Sequence, residues 1–97
     1  MTISVSSGTS PTFDWTPACS LFFVLVELGA SDQWLVISEG TNAITPPVRY
    51  GVQPPFAFQR DATIPLQAGQ TYDVTLARWT GPDREDGTLI GNQNFTP

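Results

Sequence analysis

Along the chain, short β-rich runs alternate with clusters of Gly, Pro, Ser, Asn and Asp, and no window holds apolar residues at i, i+3, i+4 and i+7. The pattern predicts strands and no helix. Residues 2–6 put Ile3 and Val5 on one parity, and residues 12–16 put Phe13 and Trp15 on one side with Asp14 on the other. Five further runs, 21–28, 34–39, 58–66, 71–79 and 88–95, are separated by "GASDQ", a proline-rich connection, "QAG" and "TGPDREDG". That connection, "ITPPVRYGVQPPF", carries prolines that exclude a central sheet position and predict an edge strand or a long ordered loop. Seven short strands in 97 residues predict a single all-β domain over residues 1–97, an antiparallel two-sheet sandwich.

Two strands depart from simple alternation. In residues 21–28 one parity holds Phe22, Val24, Val26 and Leu28, and the other holds Leu21, Phe23, Leu25 and Glu27. In residues 34–39, Trp34 and Val36 share one parity, Leu35 and Ile37 the other. A strand with one solvated face alternates apolar with polar, so apolar residues on both faces imply cover on both. Leu21, Phe23, Leu25, Trp34 and Trp79 are the candidate interface, meeting a neighbouring domain or a second copy of the chain. The alternative is that the proline-rich connection, with Tyr50, Phe56 and Phe58, folds over them as a satellite cluster.

Composition narrows the chemistry. The four basic residues are all arginine, there is no histidine, and nine acids leave a formal charge of −5, which disfavours nucleic acid and anionic lipid as partners. Without histidine the chain lacks the commonest general base near neutral pH and the commonest metal ligand. Cys19 is the single cysteine, so an intrachain disulfide is impossible; it reads as a small packed residue, with an intermolecular disulfide as the alternative. No nucleophile elbow, phosphate loop or dinucleotide fingerprint occurs, and the carboxylates show no spacing that sets a pair across a cleft. The expectation is a protein without enzymatic activity or cofactor.

The stretch "LQAGQTYDV" places Leu66, Gly69 and Tyr72 where a chain turns between sheets, with the tyrosine hydroxyl free to satisfy an upstream backbone group. It resembles the "L-x-P-x-T-x-Y-x-V" corner of fibronectin type III and wider immunoglobulin-like domains, of the kind found in bacterial secreted or lipid-anchored proteins. Ala68 and Gln70 replace the proline and threonine of that pattern. The upstream "FDWTPA" is similar to the second strand of the type III pattern, with Trp15 as core tryptophan. The resemblance runs from Phe13 to Phe95. It implies that strands 21–28, 34–39 and 71–79 share one sheet and that Trp79 ends the outward parity of the last. It also implies an extracellular or cell-surface setting as a mature or excised domain. The first residues carry no signal-peptide pattern, so a cytoplasmic setting stays open, and the longest apolar run, "LFFVLV", is too short to span a bilayer.

The loop "GPDREDG" is a second candidate contact, through Asp83, Arg84, Glu85 and Asp86. Its carboxylates lack the ordered ligand series of a calcium loop, and a solvated turn explains the composition. "NFT" at 94–96 matches a glycosylation acceptor. Two functions follow as expectations. One is a structural or protein-interaction module, self-associating through an apolar sheet face or an edge strand. The other is a carbohydrate-binding module that presents Trp34, Trp79 or Tyr50 for sugar stacking.

Overall fold

Residues 2–60, 63–79 and 87–97 are described by a computed structural model, with the side chains of residues 87–90 excepted. The described residues form eight strands and no helix: β1 (Thr2–Val5), β2 (Thr12–Thr16), β3 (Phe23–Leu28), β4 (Ser31–Ser38), β5 (Val48–Arg49), β6 (Ala57–Gln59), β7 (Tyr72–Trp79) and β8 (Gly87–Phe95). They pair antiparallel into a three-stranded sheet, β1-β2-β5, and a five-stranded sheet, β6-β4-β3-β7-β8. One hydrophobic core takes side chains from both: Phe13, Trp15 and Val48 from the small sheet; Val24, Val26, Trp34, Val36, Tyr72, Val74 and Leu76 from the large one. This arrangement is compatible with a β-sandwich.

Eight strands replace the seven expected, and the difference lies in the proline-rich connection. It contributes β5 to the edge of the small sheet before β6 pairs with the edge of β4. Both positions are edges, where the missing N–H of a nearby proline costs no ladder hydrogen bond. Among the described residues of the run expected as a strand over 58–66, only those of β6 are in a regular strand. Beyond it Arg60 N–H donates to Leu35 O and Ile64 N–H donates to Gln33 O.

Local chemistry fixes the large sheet's register. Gly29 at φ 61° and Ala30 form a two-residue link between Leu28 and Ser31, which face each other across the hairpin. A left-handed residue in such a short turn matches the twist of the flanking strands. The register then shifts by one: Val26 pairs with Trp34 and Glu27 with Asp32, leaving Gln33 as a bulge. The Tyr72 hydroxyl accepts the Gln67 N–H at 2.8 Å. Its ring stacks on Phe95 at 5.7 Å, and Leu66 is buried nearby in the same core. Gly69, at φ 87°, makes the turn between them. Trp15, the remaining marker, is buried and donates its Nε1–H to Cys19 O at 2.8 Å.

Candidate functional site

The two outer faces of the domain differ in character. On the small sheet the outward positions are Thr2, Ser4, Thr12, Asp14, Thr16 and Arg49, paired as Thr2 with Thr16, Ser4 with Asp14 and Thr12 with Arg49. That face is polar throughout.

On the large sheet the inward set of β3, Val24 and Val26, is fully buried, so Phe23, Leu25 and Glu27 face out. Cross-strand partners share a face, and the register therefore builds three rows. Phe58, Ile37, Phe23 and Ala77 form the first; Leu35, Leu25 and Thr75 the second; Asp32, Glu27 and Asp73 the third. Two apolar rows thus adjoin one acidic row. Phe58 is 43% exposed, and Phe23, Leu25, Leu35 and Ile37 are half-buried, each shielded by its neighbours in the sheet. None of these four packs against the core cluster.

Leu21 and Trp34 require correction, because both are core residues at 0% and 1% exposure. Leu21 lies outside β3: the strand is interrupted at Phe22, and Leu21 forms an isolated bridge with Ile44. Trp34 is turned inward by the bulge at Gln33, which makes it the partner of buried Val26 and gives the outer face to Leu35 and Ile37. Its Nε1–H donates to Gln59 Oε1 at 2.9 Å, and its ring lies 5.2 Å from Tyr50. Parity along one strand could not say which of two apolar sets faces inward; the residue opposite Val26 decides it.

Trp79 is half-buried at the end of β7, its ring 4.7 Å from Phe22, which in turn lies 5.7 Å from Phe23. This chain of rings extends the apolar surface beyond the first row. Asn42 grips the Trp79 backbone, accepting its N–H at 2.8 Å and donating to its carbonyl at 2.9 Å. Among the described residues, Trp79 Nε1 and Arg78 Nε are buried without a hydrogen-bond partner.

The connection's three rings do not gather into a satellite cluster over this face. Tyr50 enters the core instead, 5% exposed, with its hydroxyl donating to Ile64 O and lying 3.3 Å from Gln33 O. Burial, with a smaller effect from Tyr72, pushes the Tyr50 phenol up to about 12. Phe56 is 73% exposed at φ 58°, and Phe58 widens the outer face rather than covering it. With Trp34 and Tyr50 buried, two of the three rings expected to stack on sugar are unavailable.

The acidic row is crowded. Glu27 stands directly opposite Asp32 on one side and Asp73 on the other. Its carboxyl is raised above the usual carboxylate range, first by burial and then by the charges of Asp32 and Asp73. Asp73 Oδ1 is buried without a donor. No group of three or more His, Cys, Asp or Glu side chains among the described residues has metal-binding geometry.

The loop residues Asp83, Arg84, Glu85 and Asp86 lie outside the described residues. No described helix is long and apolar enough to cross a membrane. No family model matches the chain, and no curated protein or solved structure matches it significantly.

Proposed function

We propose that this domain is a non-enzymatic protein-interaction module, of fibronectin type III-like or immunoglobulin-like kind, that docks through the outer face of its five-stranded sheet. The carrying observation is the contrast between faces. The small sheet shows water only polar side chains, whereas the large sheet shows Phe58, Ile37, Phe23, Leu35 and Leu25 in two contiguous rows. Contiguous apolar rows of this kind mark contact surfaces more often than isolated exposed side chains do. The Tyr72 hydroxyl bond to Gln67 and the shared sheet of β3, β4 and β7 support the immunoglobulin-like assignment.

Titration with isopropanol, followed through amide chemical shifts, tests the docking reading. The expected result is a cluster of shifts on Phe23, Leu25, Leu35, Ile37 and Phe58 with β1 and β2 unmoved. Shifts scattered over both sheets, or confined to the polar one, would remove the basis for assigning this face. Sedimentation across a concentration series then separates a self-associating module, whose mass rises with concentration, from one that awaits another protein.

A further inference from the structure

Resting on that docking reading, we propose that the face takes a basic partner: a protein surface with an apolar strip flanked by lysine or arginine side chains, rather than a second copy of this chain. The acidic row is continuous with the apolar rows, since Asp32, Glu27 and Asp73 each stand one alternation beyond the row of Leu35, Leu25 and Thr75. Any partner that covers the apolar rows reaches this row as well. In the free domain three carboxyls meet along this row, and the Glu27 carboxyl is raised first by burial, then by the charges of Asp32 and Asp73 and by a side-chain hydrogen bond with Asp32. Asp73 Oδ1 adds an acceptor held from water without a donor. Cations brought alongside relieve the repulsion and supply the donors.

Geometry opposes a second copy on this face. A two-fold axis in the interface plane and parallel to the strands stacks the acidic row on its own equivalent. An axis across the strands lays it on apolar side chains. Of the arginines in the described residues, Arg49 lies on the other sheet, Arg78 is half-buried on β7, and exposed Arg60 stands beside Leu35 at the β6 edge, across β4 and β3 from Thr75. None of them acts on Glu27. The net charge of −5 adds long-range repulsion between copies and attraction for a cationic surface.

The test titrates the whole domain with an amphipathic peptide of leucine and lysine, and with its leucine and glutamate counterpart, following amide shifts. The lysine peptide is expected to move Phe23, Leu25, Glu27, Leu35, Ile37 and Asp73, and the glutamate peptide to leave them in place. Glu27→Gln should weaken the lysine peptide by about threefold, the value of one partly screened ion pair. Asp14→Asn removes the same charge from the polar sheet and should leave binding unchanged. Equal weakening by both variants would reduce the effect to bulk charge and overturn the proposal. Equal shifts with both peptides would keep the docking face and discard the basic partner. No shift on this face with either peptide overturns both, and a dimer of the free protein through these residues overturns the choice against a second copy.

Discussion

The Tyr72 hydroxyl accepts the Gln67 N–H while its ring stacks on Phe95, so a single side chain closes a turn and fills the core. Replacing Tyr72 with Phe keeps the ring and leaves a part-buried N–H without an acceptor. The expected loss is about 1–3 kcal/mol in urea unfolding with an unchanged slope. A variant as stable as the parent would show that water satisfies Gln67 and that the corner contributes only packing. This role was legible from sequence, because a tyrosine at a fixed distance beyond a buried leucine and a glycine leaves its hydroxyl few places to go. Trp34 was not legible in the same way. Both parities of its strand are apolar, and only the bulged register, which sets it against Val26, turns it inward.

At the scale of elements, the six strands β1, β2, β3, β4, β7 and β8 follow from parity and turn residues, apart from a few residues at their ends. β5 answers to the edge strand that the prolines allowed but no periodicity bounded, and β6 overlaps only the start of the run expected over 58–66; both are strands because a neighbouring edge offers them partners. The end of β7 shows another feature hidden from sequence. Asn42, from the segment after β4, takes both backbone groups of Trp79 as a neighbouring strand would. Asn42→Ala leaves that N–H and C=O unpaired near the Phe22 ring, and a loss of about 1 kcal/mol or more is expected. Hydrogen exchange locates the effect: the Trp79 amide should exchange faster while Val74, in mid-strand, keeps its protection. Unchanged exchange at Trp79 would mean that the side-chain clamp does not hold the strand end.

The molecule as a whole sets a polar face against one that is apolar with an acidic margin, and the margin makes stability depend on pH in a definite direction. Glu27 has its carboxyl raised in the folded state by burial and by Asp32 and Asp73, so the folded domain holds that proton more tightly than the unfolded chain does. Stability contributed by this group therefore falls as pH rises from the ordinary value of 4.5 through the raised folded value, and is lowest above it. Like charges placed directly opposite across strands cost about 0.2–1 kcal/mol, the lower part of that range being apt for a partly exposed row. Glu27→Gln should accordingly be more stable than the parent by about that amount at neutral pH, a gain of a few degrees in Tm. The gap should narrow as pH falls toward 4.5 and should shrink when salt is added. Thermal unfolding of both proteins across that range is the measurement. A gap that stays constant with pH would place the effect in packing rather than charge. A parent more stable than Glu27→Gln at neutral pH would show that the acidic row supports the free domain, and with it would go the argument that the row awaits a cationic partner.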